Sequence, residues 1–317
     1  MMRYVANKIM TAIFLTLVVS VLVFLLMRAL PGDPALIALG DSATIESIAA
    51  YRHHLGLDLP LTRQYWRWIS GVALHFDFGQ SVLNQQDVSE IVRQRLPNTL
   101  TIGIPSLVLG VLTGIPTGIA TAIFRGRGVD QLITLVINSF LGTPRFLIAL
   151  FGVLVLALKW RLIPLQGYTA PWDDFAAYLH KAAWPIIVNS IYIVAVVARH
   201  TRSNLLEVMN QDYIRTARAN GLSEWRIVFG HALKNTLIPV LTVIGLEMPQ
   251  IVGGAVVIET IFNIPGIGQL VLNGVVNRDY LVVQAAVLVI SLVTVSSNLA
   301  VEVLYGLVDP RIRRGAR

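Results

Sequence analysis

Long charge-free apolar runs set the pattern of the chain. Residues 9–27 lie between Lys8 and Arg28, 96–124 between Arg95 and Arg125, 182–198 between Lys181 and Arg199, and 280–301 between Asp279 and Glu302. Two further runs carry one charge each: 133–158 contains Arg145, and 235–258 contains Glu247. A helix that crosses a bilayer takes about 20 mostly apolar residues. The pattern therefore predicts an all-α integral membrane protein with six transmembrane helices. The first run follows a basic start, as a signal peptide would. Its uncharged core is longer than the roughly 7–15 residues of a signal h-region, and no small-residue cleavage pattern precedes Pro31-Gly32-Asp33-Pro34, so it reads as a retained anchor.

The polar stretches between the runs are informative in two places. Residues 31–95 are too many for a plain loop. Ile45, Ile48, Ala49 and Leu55 mark one face of a helix ended by Gly56 and Pro60, and an amphipathic run over 64–74 carries Trp66 and Trp68. These features predict a small helical subdomain whose aromatics either dock a partner or cap the bundle at the lipid interface. In the second stretch, Asp212 is an expected N-cap for a short helix over 213–220, and Gly221 fits the left-handed position that closes it. Ser223 then caps a second helix, 224 to about 234, leading to Pro239. Arg215 and Arg218 share a face of the first helix, and Thr216, Ala217 and Ala219 are small. Such a helix either docks in a groove of a soluble protein or lies on anionic lipid.

Composition narrows the class. Of 317 residues, 55% are hydrophobic and 14% charged, against about 25% charged in a soluble domain. The net charge of +7 does not point to nucleic acid, because the basic residues flank the apolar runs. Arg3, Lys8, Arg125, Arg127, Arg199, Arg202, Arg215, Arg218, Arg226, Lys234 and the tail Arg311, Arg313, Arg314 and Arg317 fall on one side; Lys159, Arg161, Lys181 and Arg278 occupy the short loops of the other. Positive charge marks the cytoplasmic side. Both termini and the segment 205–238 are therefore expected inside, with 31–95 outside. The expected layout is an anchor over 1–30, a helical extracytoplasmic segment over 31–95, a five-helix core over 96–310 and a basic cytoplasmic tail over 311–317.

Chemistry is sparse. None of Lys8, Lys159, Lys181 and Lys234 follows a glycine, which excludes a Gly-x-x-x-x-Gly-Lys phosphate loop. The six histidines form no helical ligand pair, and zero cysteines exclude thiolate metal sites and disulfides. No catalytic residue, bound metal or bound cofactor is expected. Ionisable residues at membrane depth are functional candidates. Arg145, after Gly142-Thr143-Pro144, either lines a translocation path, pairs with Glu247, or snorkels to an interface. The small residues around Glu247 and those of the second run (Gly103, Gly110, Gly114 and Gly118, with Pro105 and Pro116) serve either helix contact or substrate passage. A stand-alone secondary transporter using Arg145 and Glu247 as an ion relay is the competing class, but no internal repeat supports it.

The stretch Tyr213-Ile214-Arg215-Thr216-Ala217-Arg218-Ala219-Asn220-Gly221, continuing to Leu233, resembles the cytoplasmic coupling loop of ABC-importer permeases, in the dipeptide/oligopeptide/nickel branch. Gly221, Ala217 and Leu233 match that loop's pattern. Arg215, Thr216 and Lys234 stand where it has Glu, Ala and Pro, departures common in this branch. Arg28-Ala29-Leu30-Pro31-Gly32-Asp33-Pro34, Leu55-Gly56-Leu57-Asp58, Asp77-Phe78-Gly79 and Arg95-Leu96-Pro97-Asn98-Thr99-Leu100 resemble the first permease of such pairs. So do Glu259-Thr260-Ile261-Phe262, Pro265-Gly266-Ile267-Gly268, Asn277-Arg278-Asp279-Tyr280 and Val308-Asp309-Pro310-Arg311. The resemblance implies a type I importer permease fold in a bacterial plasma (inner) membrane. It implies a second related permease, two ATP-binding cassette subunits that use the ATP, an extracytoplasmic solute-binding protein and surrounding membrane lipid as partners. Permeases with these motifs carry peptides, nickel chelates, glutathione and some oligosaccharides.

Overall fold

The structure, a computed structural model, describes residues 2–29, 34–39, 43–54 and 56–308. The basic tail over 311–317 and the Leu30 to Asp33 part of the Pro-Gly-Asp-Pro motif lie outside the described residues. Among the described residues the elements are helices joined by turns, with one isolated β-bridge between Gln80 and Asp87.

The long apolar runs form α1 (Met2–Ala29), α5 (Val88–Ile123), α8 (Phe175–Met209) and α15 (Tyr280–Val308). Before α5 come α2 (Pro34–Leu39), α3 (Ile45–His54) and α4 (Leu61–His75), where a helical subdomain is expected. Side-chain caps start two of the long helices: Asp87 accepts from the Ser89 amide, and Asp174 from those of Ala176 and Ala177.

The apolar runs do not all form single straight helices. Five helices are long and apolar enough to cross a membrane, and two more apolar stretches are sharply bent. The third run splits into α6 (Gly128–Gly142) and α7 (Arg145–Gly152), the latter continuing as a π-helical turn Val153–Lys159, with a 102° bend between them. Pro144 between them supplies no amide hydrogen and clashes with the preceding turn. The fifth run also differs. No separate helix ends near Lys234; α10 (Glu224–Arg226) passes through a π-helical stretch Ile227–Ala232 into α11 (Leu233–Glu247) without a stop. Pro239 sits inside α11, and the chain turns at Met248-Pro249 into α12 (Gln250–Gly253) and α13 (Ala255–Phe262). A 71° bend then leads into α14 (Ile267–Val276).

Small residues settle how α5 meets its neighbours. A Cβ added at Gly110 would lie 2.6 Å from the Ile193 side chain, and one at Gly118 would lie 2.5 Å from the Ala198 carbonyl. Gly110, Gly114 and Gly118 are thus where α8 comes closest, Gly103 is where Ile251 does, and the helix-contact reading holds for them. α1 packs on α15 through Val23, Met27, Tyr280 and Val283. α4 folds back against α1: Trp68 stacks on Phe24, Tyr65 meets the same ring edge-on, and the Tyr65 hydroxyl lies 2.8 Å from Ser20 Oγ. The two tryptophans divide the two readings of that helix, since Trp68 caps the bundle while Trp66 stays 71% exposed.

Candidate coupling and translocation sites

Between α8 and α10 stands α9 (Asp212–Ala219). Gln211 is its N-cap and makes no side-chain cap bond; Asp212, expected there, is the first helical residue, with Oδ1 3.4 Å from Arg215 Nη1. Ser223 likewise holds the N-cap position of α10 without a side-chain cap bond. The C-terminus follows the expectation. Gly221 has φ +77°, its amide donates to the Arg218 carbonyl at 2.9 Å, and the Leu222 amide donates to the Ala217 carbonyl at 3.3 Å. That pair of bonds is a Schellman closure, which needs a left-handed residue after the cap.

One face of α9 is anchored and the other is open. Ile214 and Ala217 are buried in a cluster with Ile119, Ala122, Leu205 and Ile227. Tyr213, Arg215, Thr216, Arg218, Ala219, Asn220 and Gly221 are exposed. Two contacts fix the helix against α10 and α11. Arg218 grips Glu224 through Nε–Oε1 at 2.7 Å and Nη2–Oε2 at 3.3 Å, and Asn235 Nδ2 donates to the Tyr213 hydroxyl at 2.9 Å. The hydrogen bond to Glu224 raises the Arg218 pKa above its ordinary value. The result is a rigid basic platform on an apolar seat.

The second candidate lies at the breaks. Arg145 opens α7 right after the bend; its guanidinium sits 4.5 Å over the Tyr192 ring and 3.5 Å from Asn189 Oδ1. Gly254 leaves it room, since a Cβ there would come within 2.6 Å of Arg145 Nη1. Glu247 ends α11 and lies within electrostatic reach of Arg145, but the two form no ion pair within 4.0 Å. Glu247 Oε2 and Asn189 Nδ2 are both buried without a hydrogen-bond partner. Arg145, Asn189, Tyr192 and Glu247 thus form a polar cluster inside the bundle with unused donor and acceptor capacity.

Three buried carboxylates among the described residues escaped the sequence reading: Asp130, paired with Arg202 at 2.9 Å, Glu259 and Asp279. Glu259, fully buried, accepts from Thr99 Oγ1 at 2.6 Å and from the Gln269 amide at 3.0 Å, tying α5 to the start of α14. Asp279, before α15, accepts from Ser81 Oγ at 2.5 Å and from the Val82 amide at 3.3 Å. Their signal was present: an acid that borders an apolar run is costly to bury unless a helix start or a hydroxyl receives it. Among the described residues, no group of three or more His, Asp or Glu is placed to hold a metal ion.

Residues 114–314 match the family described as "Binding-protein-dependent transport system inner membrane component", and residues 1–103 match its N-terminal companion. The chain belongs to this family. The probable peptide ABC transporter permease protein y4tP of Sinorhizobium fredii is 37% identical over 310 residues, covering 98% of this chain and 99% of the relative. The glutathione transport system permease protein GsiC of Salmonella paratyphi A is 39% identical over 314 residues, covering 99% of each. A solved chain of the MetNI methionine ABC transporter, in an inward-facing conformation, has the same fold, with TM-score 0.57 and 17% identity over 69% of this chain and 97% of that one. As a binding-protein-dependent transport component, the chain is a multi-pass permease subunit of an ABC importer of the inner membrane. It is not itself an enzyme: such systems use ATP on partner subunits and take substrate from a binding partner. Membership of the binding-protein-dependent family sets aside a stand-alone secondary transporter.

Proposed function

We propose that this permease imports peptides, that α9 is the element through which ATPase subunits drive it, and that Arg145 and Glu247 face the substrate path. The observation that carries the reading is the Schellman-closed α9 platform, seated on Ile214 and Ala217 and clamped to α10 by Arg218 and Glu224. A short helix seated this firmly passes a push to α8 and α11 without bending, which is what coupling a soluble motor to a membrane bundle requires. Both termini and α9 lie in the cytoplasm, and the segment over 31–95 lies outside, a reading supported by the distribution of Lys and Arg. The working unit holds this chain, a related second permease, two ATP-binding cassette subunits and an extracytoplasmic solute-binding protein.

Peptides are favoured because relatives along nearly the full length are named for peptide and glutathione transport. A cation beside a carboxylate also suits a zwitterion, with a carboxylate drawn to Arg145 and an ammonium to Glu247. Glutathione, itself a small peptide, is the second reading. A ligand screen on the cognate binding protein, followed by uptake into liposomes holding the whole complex, tests both. Uptake of oligosaccharide or a nickel chelate with no uptake of peptides would overturn the substrate reading and leave the permease fold untouched.

A further inference from the structure

A cavity of about 620 Å³ lies where the end of α1, the helix α4, the turn around Gly79 and the first turns of α15 meet. Eight buried side-chain polar atoms among the described residues lack a hydrogen-bond partner, and four of them belong to side chains that line this cavity: Arg28 Nε, Gln64 Oε1, Trp68 Nε1 and Gln284 Nε2. A buried donor left unpaired costs more than an ordinary hydrogen bond gains, so their concentration in one cavity calls for a ligand.

The walls fix what that ligand must be. Gln64 Nε2 already donates to the Leu57 and Leu59 carbonyls at 3.1 and 2.7 Å, which leaves its oxygen as the free end. Trp68 is stacked on Phe24, and the Arg28 guanidinium sits 5.2 Å over the same Phe24 ring, so neither side chain is free to turn elsewhere. Gln284 is 1% exposed. Arg67 adds a second guanidinium to the lining. The two acids that border the cavity are turned to backbone amides: Asp77 Oδ1 accepts from Gly79 at 2.8 Å, and Asp87 Oδ1 accepts from Ser89 at 2.7 Å. Among the described residues, neither arginine forms an ion pair.

Three unpaired N–H donors, one of them on the Arg28 guanidinium, with the second guanidinium of Arg67 and a single unpaired acceptor, match a phosphate-type oxyanion that also carries a hydroxyl. We propose that this cavity binds a phosphate ester with a hydroxylated headgroup, the phosphate received by Arg28, Arg67, Trp68 and Gln284 and a headgroup hydroxyl donating to Gln64 Oε1. The cavity sits at the end of a membrane-spanning helix, and Trp66, Leu74 and Phe76 stand exposed on α4 and just beyond it. Aromatic and apolar side chains in that setting lie at the level of lipid headgroups, so a glycerol phospholipid is the natural source and a free phosphate the other. The site stands apart from transport of peptide and does not depend on it.

The test uses the assembled transporter, stripped of lipid in detergent and examined by native mass spectrometry. Dioctanoyl phosphatidylglycerol, dioctanoylglycerol and inorganic phosphate are titrated separately. The expected result is a one-to-one phosphatidylglycerol adduct, no adduct with dioctanoylglycerol, and phosphate binding much more weakly than the lipid. Trp68→Phe keeps the ring and removes the donor, and Gln284→Leu removes a buried amide that has no protein partner for its nitrogen. Both should fold and should weaken the adduct roughly tenfold or more, the scale of one lost hydrogen bond to an anion. Phosphate binding as tightly as the lipid would keep the oxyanion site and make free phosphate its source. Equal binding of dioctanoylglycerol, or unchanged affinity in Trp68→Phe and Gln284→Leu, would overturn the proposal whether or not the complex transports peptides.

Discussion

Thr99 Oγ1 donates to Glu259 Oε1 at 2.6 Å and accepts from the Ile267 amide at 2.8 Å, so one hydroxyl joins three helices. The start of α14 is thereby held by a carboxylate from α13 and a threonine from α5. Gly266 is needed here, because a Cβ at that position would collide with the Glu259 carboxylate. Thr99→Val keeps the shape and removes both bonds, leaving a buried carboxylate oxygen and a buried amide unpaired at about 1–3 kcal/mol each. Thr99→Ser keeps the hydroxyl. The expected outcome in thermal unfolding of the detergent-solubilised protein is a clearly lowered midpoint for Thr99→Val and a nearly unmodified one for Thr99→Ser. Equal midpoints for the two would remove the structural role assigned to this hydroxyl.

That site shows what the sequence could and could not disclose. The tetrapeptides around Thr99, Glu259 and Gly266 were each visible as family-like words, yet nothing in their spacing said that they form one hydrogen-bonded corner. A contact across 160 positions is a product of tertiary packing, and only local periodicity is written in a single sequence. The same limit explains the spans. Apolar runs disclosed α1, α5, α8 and α15, because hydropathy reports burial in lipid directly. It is blind to the bend at Pro144, which the proline itself signals, and to the π-helical passage over 227–232, since both keep the apolar character while changing the path. Gly221 was legible because a left-handed position after a short helix is a local demand on one residue type. Asp212 was misplaced by one position, as helix ends commonly are.

Topology follows from the proposed orientation. The chain has no cysteine, so single introduced cysteines report without background. Thr62 on α4 and Ser223 before α10 are both exposed. In intact cells or right-side-out vesicles, an impermeant maleimide should label Thr62→Cys and leave Ser223→Cys unlabelled until the membrane is opened. Labelling of Ser223→Cys from outside would reverse the orientation and remove the coupling role of α9.

For the intramembrane cluster, the geometry separates two mechanisms. Arg145 is held by Tyr192 and Asn189 rather than by a direct bridge to Glu247. Arg145→Ala should therefore lower peptide uptake several-fold while the protein still accumulates in the membrane. Gly254→Ala should act in the same direction, because its new methyl group displaces the guanidinium. A buried bridge would behave differently: each single change would strand a charge and destabilise the protein strongly. In that case Arg145→Ala/Glu247→Ala would restore the abundance lost by either single variant. Immunoblots of membrane fractions alongside uptake assays distinguish the outcomes, and restored abundance would refute the pathway reading.

The coupling element yields the sharpest prediction, because backbone and charge can be disturbed separately. Gly221 has φ +77° and faces open space, so a side chain there meets no neighbour and acts only through the backbone. The left-handed conformation costs a residue with a Cβ roughly 1–2 kcal/mol, and a β-branched one suffers most. Gly221→Val should still insert, since that strain is small beside the packing of the bundle. Its effect is to loosen the Schellman closure and tilt α9 on its seat. Arg218→Glu leaves the backbone alone and sets two carboxylates against each other at the contact with Glu224. An exposed ion pair contributes about 0–1 kcal/mol, so this variant also should fold. Both should lose substrate-stimulated ATP hydrolysis and peptide uptake in liposomes, while nucleotide binding by the ATPase subunits is unchanged. Arg218→Glu/Glu224→Arg, which rebuilds the pair with its ends exchanged, should recover part of the lost uptake if the clamp itself matters. Uptake at the unmodified rate in both single variants would show that α9 rests on lipid and does not transmit the power stroke.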